Sequence, residues 1–232
     1  MKEFTYEDIN IVYEDNHILV VVKPQNIPVC GDSSGDQNLL DLLKQYIVEK
    51  YNKPGDAYLG LVHRLDRPTG GVMVFAKTSK AAARLAENIK KGELEKKYFA
   101  VTVGTMRDRR GVLENMLLKN PEKNMVYAVP YTTVGAKKAV LQYETVSEVE
   151  GLGLIDIKLI TGRSHQARVQ LATQNTPIYG DQKYGMGKSP ANTRLSLWAV
   201  QLRFPHPTTK EMMVFKVLPP VDIAPWNKFT IL

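Results

Sequence analysis

Apolar and polar positions switch over short spans along most of this chain, and that rhythm predicts strands before helices. Residues 10–22 read as two short strands around the polar turn Glu14-Asp15-Asn16, the second ending at Lys23-Pro24. Residues 25–37 read as a loop carrying Pro28, Gly31 and Gly35. Leu39, Leu40, Leu42, Leu43, Tyr46 and Ile47 then recur at helical spacing, with Asp36 or Asn38 as the cap and Asn52-Lys53-Pro54-Gly55 as the end. Residues 59–62 form a short apolar strand that leads into His63-Arg64-Leu65-Asp66, and residues 72–76 are a continuous apolar run of the kind buried on both faces. Ser79 is the expected N-cap of a helix through Lys91, with Ala82, Leu85, Ala86 and Ile89 inward and Gly92 as its stop. Residues 97–103, 112–118, 138–149 and 154–160 read as strands. Ser164 is the expected cap of a helix through Ala172, and residues 195–204 and 212–217 close the pattern around Pro205-His206-Pro207. Strands outnumber helices and short turns join many of them. This predicts an α+β fold with a mixed, largely antiparallel sheet and a few packed helices, not alternating βαβ units.

Length and composition then set the frame. At 232 residues the chain suits one domain spanning 1–232, with room for two lobes. Hydrophobic residues at 44% and charged residues at 24% exclude a disordered or fibrous main state. The lone Cys30 excludes an internal disulfide and a cysteine zinc cluster and suits a reducing, cytoplasmic setting. Met1-Lys2-Glu3-Phe4 begins no expected signal peptide, and the longest apolar stretch, 18–22, is far too short to span a bilayer. The formal charge of +7 is unevenly spread: residues 77–138 hold 14 basic and 6 acidic residues, whereas the rest holds 17 and 18. A basic surplus confined to one segment fits a phosphate-tracking surface, although a charge run alone is more often a solvated face.

Several motifs fall short of their chemistry. Gly185-Met186-Gly187-Lys188-Ser189 ends like a phosphate-binding loop, but Gln182 stands where its first glycine belongs and no strand leads in. Gly151-Leu152-Gly153 lacks a third glycine and reads as a hairpin turn. His63-Arg64-Leu65-Asp66 has the wrong order for a kinase loop. The histidines at 17, 63, 165 and 206 show no metal-ligand spacing, so no metal is expected. Two polar segments remain. HRLDRPTGG, residues 63–71, lies between apolar strands. TGRSHQ, residues 161–166, follows a strand and opens a helix, where free N–H groups favour anions. Taken singly, Asp66 is a surface carboxylate beside an arginine, Arg163 and His165 are helix-start hydrogen bonders, and Gly70-Gly71 is a turn.

In combination these segments match a family. HRLDRPTGGVMVFAKT resembles the signature of the RluA-type pseudouridine synthases, which isomerise uridine in RNA. INIVYEDNHILVVVKPQNIPV is similar to that family's opening segment, EKKYFAVTVG to its Lys-x-Tyr strand, and LITGRSHQARVQLA and PIYGDQKYG to its Gly-Arg-x-His-Gln and Gly-Asp-x-x-Tyr-Gly blocks. LRFPHPTTKE matches the late His-Pro turn. The order is kept from Ile9 to Leu218. The resemblance implies a pseudouridine synthase fold with its cleft along the sheet and no added N-terminal RNA-binding domain. It also implies no cofactor, and a structured RNA partner, a stem-loop of rRNA or tRNA.

It further implies roles. Asp66 is the carboxylate acting at C1′ of the ribose, as nucleophile or as base. Arg163 is the cation that keeps it ionised, and Tyr98 the ring that packs on the base. Arg64 occupies the space that the flipped uridine vacates. His63, His165, Lys96, Lys97, Arg109 and Arg110 are the remaining RNA-binding candidates. Gly70, Ala167, Gln170 and Trp198 depart from the usual family residues without removing a catalytic group. A catalytically silent RNA-binding module on the same scaffold is the alternative reading, and a monomer is expected. If RNA is the partner of the basic segment, the logarithm of its affinity falls steeply and linearly with the logarithm of salt concentration. Filter binding across a salt series measures the slope, and a flat response counts against the segment as a phosphate surface.

Overall fold

The computed structural model describes residues 4–32 and 34–231; the opening Met1-Lys2-Glu3, read above as no signal peptide, lies outside them. In chain order the elements are β1 (Ile11–Glu14), β2 (Ile18–Lys23), α1 (Leu39–Tyr51), β3 (Gly60–Leu61), β4 (Gly70–Ala76), α2 (Ser79–Lys90), β5 (Glu95–Val103), β6 (Arg110–Asn120), β7 (Met125–Val129), β8 (Lys137–Val149), β9 (Leu152–Leu159), α3 (Gln166–Thr173), β10 (Leu197–Pro205) and β11 (Met212–Lys216). The strands pair in antiparallel fashion within each unit described below, so the α+β expectation holds. The chain separates into two compact units. One runs up to Leu94 and takes in Gln201–Val217; the other comprises Glu95–Val200 and the segment from Leu218.

In the first unit β2 pairs with β1 on one side and β4 on the other, and both strands are buried almost throughout. Their apolar runs supply Ile18, Val20, Val72, Val74 and Ala76 to one core. Ala81 and Leu85 of α2 cover it, joined by Leu202 and Phe204. The cap of α2 is Thr78, not Ser79. Thr78 has extended backbone and its hydroxyl accepts the Ala81 N–H at 3.1 Å, which makes Ser79 the first helical residue. The inward face of α2 runs through Ala81, Leu85 and Asn88, and Ala86 is exposed. Asn88 is tolerated inside because its amide donates to Pro205 O at 3.0 Å. α1 is capped by Asn38, as one of the two expected residues.

One polar knot holds β1 to α1. The Glu14 carboxylate accepts from Lys50 Nζ at 2.7 Å, Lys77 Nζ at 2.6 Å, Tyr46 Oη at 2.8 Å and Tyr51 Oη at 2.9 Å. Burial works to raise its pKa, but these four donors prevail and hold it at about 2.

In the second unit the strand order is β5-β9-β8-β6-β7. The β6–β7 hairpin extends the sheet beyond the strands read from sequence, with Leu118 opposite Tyr127. Gly151-Leu152-Gly153 lies where a hairpin turn was expected: Glu150 and Gly151 take positive φ of 52° and 75° between β8 and β9. The register sorts the side chains into two faces. Tyr98, Ile157 and Tyr143 stand on one, the face against which α3 packs. Lys97, Lys158, Gln142 and Val112 stand on the other. α3 is fastened to the first face by Gln170, whose amide donates to Leu113 O at 3.0 Å and Asn115 Oδ1 at 2.9 Å.

Removing Glu14 tests the knot. Glu14→Gln leaves Lys77 buried beside a neutral partner and is expected to destabilise the fold by about 3 kcal/mol at neutral pH. The native carboxylate has a depressed pKa. Its contribution is therefore complete above the ordinary value of 4.5 and lost as pH falls towards about 2. Chemical denaturation at a series of pH values reads this directly: the gap between wild type and variant closes on acidification. A gap that stays constant contradicts the ion-pair account.

Candidate active site

Asp66 sits on a four-residue turn just before β4. Burial alternates there: His63 and Leu65 are buried, Arg64 is exposed and Asp66 half-buried. The four carbonyls of this turn all accept hydrogen bonds. Asp66 O accepts Thr69 N–H at 2.9 Å, and Arg67 O accepts Asn26 N–H at 2.8 Å. Pro68 O accepts the Gln25 amide at 3.0 Å, and Thr69 O accepts Lys23 Nζ at 2.8 Å. Lys23 Nζ also donates to Arg67 O at 3.0 Å and to Pro24 O at 2.8 Å. An ammonium has three N–H donors, and here three carbonyls meet them. Lys23 is fully buried, and Gly71, its partner in the β2–β4 ladder, opens β4 with a φ of 121°. Burial lowers the Lys23 pKa to about 7, with the Asp66 charge opposing the drop and Arg67 adding to it.

The structure separates Arg67 from the simple surface pairing considered for Asp66. Its guanidinium meets Asp36 at 2.6 Å, Asn26 O at 3.1 Å and Ser34 Oγ at 3.3 Å, so it ties the 25–37 loop to the turn. His63 is buried, and its Nε2 accepts the Val74 N–H at 3.2 Å inside the unit.

The second unit carries Tyr98, Arg163 and His165. Tyr98 is only 6% exposed and shares its face of β5 with Lys96. Arg163 lies on the 161–166 turn, which is pinned to β8 at one residue. Val140 N–H donates to Thr161 Oγ1 at 2.8 Å, Val140 O accepts the Gln166 amide at 3.0 Å, and Gln166 Oε1 accepts both the Thr161 hydroxyl and the Arg163 N–H, at 2.7 and 3.0 Å. The exposed Arg163 guanidinium is aligned by one bond, Nε to Lys138 O at 3.0 Å. Ser164 does not cap α3. The position before the helix is His165, in the left-handed region at φ 52° and without a side-chain cap, and the Gln166 side chain reaches back to the Arg163 N–H ahead of the helix.

The basic candidates divide. Lys96 is half-buried near the turn, within 3.6 Å of where a side chain on Gly162 would begin, and burial lowers its pKa. Lys97 stands on the opposite face and pairs with Asp156 at 3.3 Å; Arg110 stands on that face too and pairs with Glu144 at 2.7 Å. Arg109 is exposed at the entry to β6. Among the described residues no group of three or more His, Cys, Asp or Glu is arranged to hold a metal ion.

Sequence reasoning did not give Lys23 a role, although a signal was present: a lysine closing an otherwise apolar strand run. It also passed over Thr161 and Gln166 as anchors of the arginine turn, and over the buried Arg168–Asp181 pair behind it, bonded at 2.8 and 2.7 Å.

Comparisons with known proteins point one way. The family model described as RNA pseudouridylate synthase matches residues 17–173. A relative from Pasteurella multocida, "Ribosomal large subunit pseudouridine synthase D", is 34% identical over 93% of this chain and 69% of its own length. "Ribosomal large subunit pseudouridine synthase C" from Vibrio vulnificus is 32% identical over 88% of this chain and 63% of its own length. Among solved structures, human RNA Pseudouridylate Synthase Domain Containing 4 superposes with a TM-score of 0.77 at 26% identity, covering 91% of this chain and 88% of that one.

The buried lysine makes its own prediction. Its folded pKa is about 7 against an ordinary 10.5, so between those values the unfolded chain holds a proton that the folded chain has released. Stability of the wild type relative to Lys23→Met therefore rises with pH across that window, by up to about 1.4 kcal/mol per unit. Denaturant titrations of both proteins at stepped pH measure the slope, and parallel curves contradict a buried ammonium.

Proposed function

We propose the function from one premise, that this chain belongs to the RNA pseudouridylate synthase family and is an RNA-modifying isomerase: it converts specific uridines in structured RNA to pseudouridine, with Asp66 acting at the ribose of a flipped-out nucleotide. What supports Asp66 is its place in HRLD, on a turn whose four carbonyls are all bonded, so that the carboxylate stands on fixed backbone. A carboxylate is the group this chemistry needs. The C1′–N1 bond breaks as Asp66 attacks C1′ or takes a sugar proton. The uracil then turns and C5 bonds to C1′ as the Asp66–C1′ bond breaks or, in the other route, as Asp66 returns its proton to the sugar. C5 gives its proton to solvent and N1 takes one, so the RNA keeps its composition.

The other residues support this step by type. Arg64, exposed two positions before Asp66, fills the gap left in the stack, which costs a few kcal/mol to open. Tyr98 offers a flat ring to the base, and Arg163 a guanidinium that keeps a carboxylate ionised where water is excluded. Lys96 and His165, beside the arginine turn, are the better placed of the phosphate candidates. Lys97 and Arg110 already have acidic partners and are weaker ones. The relatives are named for the large ribosomal subunit, which makes its RNA the first substrate to try.

The deciding experiment uses rRNA and tRNA labelled with tritium at uridine C5. The wild type releases tritium to water and Asp66→Ala releases none, a loss of all measurable turnover. A wild type that releases none from either RNA refutes the proposal, and an active Asp66→Ala refutes the assignment of the carboxylate.

A further inference from the structure

Two residues beyond Arg163 the backbone adopts a conformation that residues with a β-carbon avoid: His165 lies at φ 52°, ψ 19°. The same residue is held through its ring. Its Nδ1 is 2.6 Å from the Tyr184 hydroxyl, and the two rings meet edge to face with centroids 5.6 Å apart. The hydroxyl oxygen also accepts the Val126 N–H at 2.9 Å. A phenol has one proton to give. With its oxygen accepting from the backbone, that proton is available to Nδ1, and an imidazole that takes it carries its own proton on Nε2.

Tyr184 is itself immobile. Its ring is buried with Leu117, Val126, Ala139 and Val169, and the Arg168 guanidinium stacks 5.1 Å above it. Arg168 is locked by its paired bonds to Asp181, and Asp181 Oδ1 also accepts the N–H groups of Lys183 and Tyr184 at 2.9 and 3.0 Å. The turn admits only glycine at its edges, since a side chain on Gly180 would overlap Arg194 O and one on Gly185 would overlap Asp181 O. A rigid bracket thus runs from the Asp181 turn through Tyr184 to the ring of His165.

We propose that Tyr184 is a positioning residue for uridine isomerisation, its hydroxyl bond to His165 latching the 161–166 turn in the left-handed form that presents Arg163. The proposal rests on the assignment of Arg163 to that reaction. Tyr184 touches no reacting atom. It acts by keeping the residue at the end of the turn from relaxing to the ordinary right-handed backbone, which would carry Arg163 away from its bond to Lys138 O.

A double-mutant cycle tests it. Tyr184→Phe removes the donor, and His165→Leu removes the acceptor while leaving Tyr184 bonded to Val126. Each is expected to lower kcat/KM for tritium release, by as much as about 100-fold. The double variant should be no slower than the slower single, because both cut one bond. Val169→Ala, which loosens the packing around Tyr184 and spares its hydroxyl, should lower thermal stability and leave kcat/KM unchanged. Long-range proton–nitrogen spectra of the full chain with labelled histidine report the bond without turnover: in the wild type His165 carries its proton on Nε2, and in Tyr184→Phe that preference is lost. The proposal is overturned by a proton on Nδ1 in the wild type, by wild-type kcat/KM in Tyr184→Phe, or by a double variant whose losses multiply. Should Tyr184→Phe fail to fold, the wild-type spectrum decides: a proton on Nε2 upholds the latch, and a proton on Nδ1 or an unslowed His165→Leu overturns it. A wild type that releases no tritium refutes the isomerase reading and is told apart from failure of the latch by those same spectra.

Discussion

A backbone turn that presents a carboxylate must do so without leaving its own carbonyls starved, and in this protein one buried ammonium meets half of that requirement. Lys23 gives its three protons to Pro24, Arg67 and Thr69, while the Gln25 amide meets Pro68 and the Thr69 N–H meets Asp66. An unmet buried carbonyl costs about 1–3 kcal/mol, so replacing Lys23 by an apolar residue disturbs several bonds at once. The same charge faces Asp66. Backbone order and electrostatics at the turn therefore come from a single side chain, placed there by the last residue of a strand that is apolar everywhere else.

The second unit solves the matching problem differently. Its arginine turn is held by neutral groups, Thr161 and Gln166, both meeting β8 at Val140. The ionic component sits one layer back, in the Arg168–Asp181 pair. There burial works to raise the Asp181 pKa, but the guanidinium and two backbone N–H groups outweigh it. A neutral inner layer leaves the Arg163 charge uncompensated by its own anchors; a charged outer layer supplies stiffness.

Much of this was legible in the sequence because apolar periodicity and turn residues act locally. The two strands around Glu14-Asp15-Asn16, the helix capped at Asn38, the buried run into Ala76 and the hairpin at Gly151 follow from neighbours within a few residues. The family resemblance supplied Asp66 and Arg163. What escaped depends on partners distant in the chain. Lys23 is 46 residues from Thr69, and Tyr184 is 58 from Val126; no spacing rule links them. Boundary errors were local: Thr78 took the cap from Ser79, and His165 in the left-handed region took the position before α3 from Ser164. Ala86 was misread because small apolar residues sit as easily on a solvated face as in a core.

The exposed face of the β5-β9-β8-β6 sheet carries four cross-strand ion pairs, Lys97–Asp156, Lys158–Glu95, Arg110–Glu144 and Lys138–Glu114. Every basic group in them is matched by an acidic neighbour, so to a polyanion this surface is electrically blank. Within each pair a carboxylate covers the positive end, so these contacts add no net charge to the face. Exposed pairs of this kind add little to stability, so their main physical effect is on the field that the face presents to solvent.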